Sequence, residues 1–114
     1  MRRLRILLLA AATALAAPVV VGEPAASERQ AETMAVAARD ELGLTAAQTE
    51  TLRRLLLEKL AQVEQQTLGV EDPAERSQIV KRIHCDFTRK LYAAYDRKTG
   101  NEIEGWYYNY THKR

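Results

Sequence analysis

The chain contains one cysteine, three prolines and five glycines in 114 residues. A single cysteine excludes a disulfide scaffold and a zinc site built from thiolates. So few glycines and prolines argue against a β-sandwich, which needs frequent turn signals. The length allows one domain and excludes a two-domain enzyme with a deep interdomain cleft. Charged residues make up 28% of the chain, the share of a folded protein rather than a disordered one. Catalytic motifs are absent, and the only histidines are His84 and His112. His84, Cys85 and Asp86 are consecutive, so on a helix they point about 100° apart and cannot chelate one ion together. No metal, no cofactor and no enzymatic activity is expected.

What is present begins with a basic start, Met1-Arg-Arg-Leu-Arg5, followed by an uncharged run from Ile6 to Gly22. A basic segment, an apolar stretch and small residues at a cleavage point define a secretory signal peptide. Residues 1–16 are read as that signal, cut after Ala16, and 17–26 as a flexible leader containing Pro18, Gly22 and Pro24. An uncleaved N-terminal anchor is the alternative, although Pro18 interrupts a run already at the short limit for a membrane span. Cleavage removes Arg2, Arg3 and Arg5 and leaves 14 basic and 15 acidic residues. The formal charge of +2 therefore belongs to the export signal, and nucleic-acid binding loses its electrostatic support.

Residues 27–112 are read as one all-α domain. Ser27 to Gln30 has capping-box spacing, and Gly43 can close a short first helix in the left-handed conformation. Thr45 to Gln48 is a second capping box, ahead of an apolar stripe of Leu52, Leu55, Leu56, Leu60 and Val63. This helix is expected to end near Thr67, with Gly69 behind it. Asp72 and Pro73 open a third helix, in which Ile79, Val80, Ile83, Phe87, Leu91, Ala94 and Tyr95 step by threes and fours. Neither long stripe is read as interrupted by Arg, Lys or Glu. Two long amphipathic helices with a short turn predict an antiparallel helical hairpin, flanked by short N- and C-terminal helices and dimeric through its uncovered apolar faces. The last segment has two readings: a helix opened by a box at Thr99 to Glu102, which is favoured, or a β-hairpin turning at Thr99 to Asn101.

Leu44, Thr45 and Gln48, at the start of a long helix in an exported all-helical chain, resemble the motif of the LTxxQ-motif periplasmic proteins, the Spy/CpxP-like family. That family carries a second copy of the motif; here Lys98-Thr99-Gly-Asn-Glu102 keeps only the threonine. The resemblance implies an elongated hairpin, often paired into a cradle-shaped dimer. It also implies binding of unfolded envelope proteins without ATP, or modulation of a stress-sensor domain, in the periplasm.

Cys85 falls almost opposite the apolar stripe of its helix and is expected to face water beside Lys81, Arg82 and Arg89, with Tyr92 two turns on. Neighbouring cations make such a thiol more reactive than a buried one, and a lone cysteine in an oxidising compartment suggests an intermolecular disulfide. Packing in an oligomer interface is the competing reading. Residues 23–75 carry 5 basic and 11 acidic groups, whereas 76–98 carry 7 basic and 2 acidic. Such opposed blocks suggest complementarity within the chain or between copies. Arg76, Lys81, Arg82, Arg89 and Tyr92 are candidates for a partner-binding basic face, with a merely solvated face as the alternative. Trp106, Tyr107 and Tyr110 are candidates for an aromatic patch, or for the apolar side of a segment that closes the core.

The expected function is that of a small exported periplasmic protein that binds unfolded or envelope proteins, or a sensor domain. The alternatives are an N-terminally anchored sensor or regulator, in which case the membrane becomes a partner, and a secreted helical mutase. The uninterrupted stripes speak against the mutase, whose site needs charged side chains inside the bundle.

Overall fold

A computed structural model describes residues 26–113, which form four α-helices and no strand. The expected signal peptide, 1–16, lies outside the described residues, as does the expected leader, 17–26, except for Ala26, which is helical rather than part of a leader. Residues 26–42 form α1; α2 spans Ala46–Thr67, α3 Pro73–Ala94 and α4 Arg97–His112.

Local signals account for the helix ends. Gly43 has φ 73° and its amide donates to the carbonyl of Arg39 at 2.8 Å, so α1 ends in a left-handed cap. Gly69 has φ 79° just beyond α2, in the same region that side chains with a Cβ avoid. Asp72 caps α3 by accepting from the amide of Ala74 at 3.2 Å, with Pro73 at the first helical position.

Two expected caps are displaced. Ala26 is already helical, so Ser27 lies inside α1, and its hydroxyl instead meets a carboxylate oxygen of Glu64 at 3.5 Å. The last helix starts at Arg97, not near Thr99, because Asp96 accepts from the amide of Thr99 at 3.2 Å. Thr99 and Gly100 are therefore interior residues. The strand alternative for this segment is not realised: the apolar positions Ile103 and Trp106 follow the helical period and both are buried.

All four helices contribute to one core. Helix α1 buries small or flexible side chains, Ala31, Met34, Ala35 and Ala38, with Leu42 packed against the core at its end. Leu52 and Leu56 of α2, Leu91 of α3 and Ile103 of α4 are the large side chains removed fully from water. Burying each stabilises the fold by roughly 1.5–3 kcal/mol before conformational entropy is counted. Contacts along α2 and α3 step in opposite directions. Tyr95, just past α3, donates its hydroxyl to the carbonyl of Gln48 at 2.6 Å, whereas Lys90 meets Glu58 at 2.5 Å. Of the expected α3 stripe, Ile83, Phe87, Leu91 and Tyr95 are buried, while Val80 and Ala94 remain exposed.

Helix α4 lies close to the end of α3 because residue 100 lacks a side chain. A Cβ there would stand 2.7 Å from Cε1 of Tyr92. The Tyr92 hydroxyl then reaches Asn101 Oδ1 and Glu104 Oε1, each at 2.6 Å.

Candidate functional site

The motif residues form a structural joint. The Thr45 hydroxyl accepts from the Gln48 amide at 3.0 Å, and Gln48 Oε1 accepts from the Thr45 amide at 2.9 Å, a reciprocal capping box. Leu44 is buried in the core, and the Gln48 carbonyl takes the Tyr95 hydroxyl. Burial pushes that phenol up to about 12, so it stays a donor throughout the physiological range. One motif therefore ties the α1–α2 turn to the end of α3. Lys98-Thr99-Gly-Asn-Glu102 does not cap a helix: Thr99 lies inside α4, whose N-cap is Asp96, and Lys98 pairs with Glu102 at 3.8 Å along its flank.

A cluster that sequence reasoning missed lies between α2, α3 and α4. Lys59 is 8% exposed, on the buried side of α2 with Leu52 and Leu56. This corrects the expectation that no charge interrupts the α2 stripe. The signal was there: positions 52, 56, 59 and 63 step by four, three and four, so residue 59 belongs to the stripe whatever its type. Its ammonium donates to the Tyr107 hydroxyl at 2.5 Å and to Nδ1 of His84 at 3.1 Å. An ammonium only donates, so His84 accepts at Nδ1 and carries its own proton on Nε2. The nitrogen also sits 4.3 Å from the Tyr107 ring centre and 5.2 Å from that of Phe87. Among the described residues no carboxylate pairs with it.

The electrostatic consequences follow from that setting. Burial lowers Lys59 to about 8. Burial also lowers His84, the Lys59 charge lowers it further, and Glu104 pulls it the other way. Tyr107 is raised by burial. The space between α2 and α3 beside Lys59 is about 10 Å³, room for one water at most. The cluster thus places an amine of lowered basicity beside a space of that size, and no group of three or more potential metal ligands occurs among the described residues.

Cys85 is a free, exposed thiol on α3, in an open groove with Gln62, Gln66, Arg82 and Arg89. Arg76, Lys81, Arg82 and Arg89 are all exposed. Arg76 donates to the Val70 carbonyl at 2.7 Å, and Arg89 pairs with Asp86. Tyr92 is set apart from this face by its bonds to α4. The three aromatic candidates are also divided. Trp106 is buried and its indole N–H has no partner among the described residues, Tyr107 is half-buried over Lys59, and Tyr110 is exposed with its ring 5.1 Å from that of Trp106. Tyr108 is 60% exposed and stacks on His112. No helix among the described residues is long and apolar enough to cross a membrane. Comparison with protein-family models, curated proteins and solved structures finds no match.

Proposed function

We propose that the chain is a small exported helical protein that binds other proteins, acting in the periplasm as an ATP-independent chaperone or as a modulator of a stress-sensor domain. The observation that carries this reading is Leu68, a large apolar side chain left 79% exposed directly after α2. It borders an open groove between α1 and α2 lined by Leu57 and Ala61, with Glu28 and Glu64 at the rim. Apolar surface edged by carboxylates suits an unfolded segment with apolar and basic side chains. The resemblance of Leu44, Thr45 and Gln48 to the LTxxQ motif supports the same reading. In it, α2 and α3 act as the antiparallel hairpin, a second copy covers part of the apolar surface, and residues 1–16 are removed on export.

Suppression of aggregation of an unfolded model protein, followed by light scattering at stoichiometric ratio, tests the chaperone reading. The Leu68→Glu variant is expected to lose most of the effect while keeping its helical circular dichroism. Complete inactivity of the native chain would leave only the sensor-modulator form. An intact Met1 on exported material would favour an anchored protein. The mutase reading gains one buried charge, Lys59, but no substrate-sized space beside it.

A further inference from the structure

The feature left unused by protein binding is the junction of Lys59, His84 and Tyr107, one side chain from each of α2, α3 and α4. We infer that this junction is an acid-sensitive latch: one proton taken from solvent by His84 removes the acceptor that Lys59 uses and sets two cations in contact between the helices, loosening α4 from α2 and α3.

The geometry leaves the junction few ways to absorb that charge. The Lys59 nitrogen is 3.1 Å from the His84 Nδ1 atom, and the proton would have to reside on that same nitrogen. The imidazole is stacked on Tyr107, with ring centres 5.8 Å apart, and tilted against Phe87 at 6.1 Å. Its movement therefore disturbs two aromatic side chains that line the seam. Carboxylates near the junction are already engaged. On α2, Glu58 is bonded to Lys90, and on α3 Asp86 is shared between Arg89 and Lys90. On α4, Glu104 acts on His84 but accepts the Tyr92 hydroxyl at 2.6 Å. From α1, Glu28 and Glu32 act on Arg53 instead. Burial and the Lys59 charge both hold His84 below its ordinary value, against the single pull of Glu104.

The sign of the pH effect follows. The unfolded chain takes the histidine proton at a higher pH than the folded one, so stability is full above the unfolded value and is lost as pH falls towards the folded one. The window opens as pH falls through the ordinary histidine value of about 6.5 and extends below it.

Two measurements on the purified protein test the latch. The His84 ring resonances are titrated by NMR in a His112→Gln background, so that one imidazole remains. Thermal unfolding is followed by far-ultraviolet circular dichroism and Trp106 fluorescence from pH 7.5 to 5.5. His84 is expected to titrate below 6.5, and Lys59→Met to move that titration upwards. The midpoint temperature is expected to fall by several degrees across the window. In His84→Gln, whose amide oxygen still accepts from Lys59 but takes no proton, the fall is expected to vanish. A native His84 that titrates at or above 6.5, or one unmoved by Lys59→Met, would overturn the latch. An equal fall in His84→Gln would overturn it too. The titration of the native side chain decides the matter even if the His84 variant does not fold.

Discussion

Replacing Lys59 by Met gives the sharpest quantitative test of the fold, because it removes a buried charge and keeps a side chain of similar length. Lys59 holds its proton only to about pH 8 in the bundle, against an ordinary value of 10.5. That difference corresponds to a cost of about 3 kcal/mol at neutral pH. Working against it are the attraction to the Tyr107 and Phe87 rings, roughly 1 kcal/mol, and the bonds to the Tyr107 hydroxyl and to His84 Nδ1, about 1 kcal/mol each. At pH 7 the variant is therefore expected to match the native chain to within about 1 kcal/mol. The pH dependence is the stronger discriminator. Between pH 8 and 10.5 the unfolded chain keeps the lysine proton that the folded chain has shed, so native stability rises with pH. By pH 9.5 the gain is about 2 kcal/mol. Tyr95 and Tyr107 are both raised, so they act in the opposite sense only above about pH 10. Urea unfolding of the native chain and of Lys59→Met at pH 7, 8 and 9.5 makes the comparison. A native stability that stays flat to pH 9.5, or an equal rise in the variant, would refute the buried-amine argument.

Three further outcomes are expected. Thr45→Ala removes one half of the capping box and costs about 1 kcal/mol in urea unfolding, whereas Thr45→Ser restores most of it; equal stability of all three would show that the joint carries no weight. Gly100→Ala drives a Cβ into the Tyr92 ring and costs roughly 1–3 kcal/mol in the native chain. In a Tyr92→Ala background that cost is expected to shrink, and an unchanged cost would locate the strain elsewhere. Cys85 is expected to react with a thiol reagent at the rate of an exposed cysteine without denaturant; slow labelling of the native protein, or none, would mean that an oligomer interface covers it.

The parts of the fold written in local chemistry were legible in the sequence. Thr45 with Gln48, Asp72 with Pro73, and Gly43 and Gly69 each act within a few residues of themselves, so spacing alone located four helix ends. The start of α4 was misplaced because two overlapping signals compete. Thr99 has box spacing to Glu102, yet Asp96 stands three residues ahead of Thr99 and captures its amide. Gly100, inside that expected box, has a tertiary reason, since the Tyr92 ring occupies the space of its side chain. Lys59 was hidden for a related reason. Its position in the period marks it as inward-facing, while its residue type suggests a solvated head, and only the joint presence of His84, Phe87 and Tyr107 resolves the conflict. The aromatic cluster at the C-terminus had the opposite fate. Its composition allowed either one patch or a segment closing the core, and successive helical positions send Trp106 into the core, Tyr107 onto Lys59 and Tyr108 into solvent.

Capture of unfolded protein segments on the surface bordered by Leu68 can be read out by fluorescence anisotropy. The native chain is titrated onto a labelled, permanently unfolded polypeptide with apolar and basic side chains. Saturable binding is predicted, weakened at least tenfold by Leu68→Glu, with thermal unfolding of the variant unchanged. Absence of saturable binding by the native chain, or equal binding by the variant, would contradict the account.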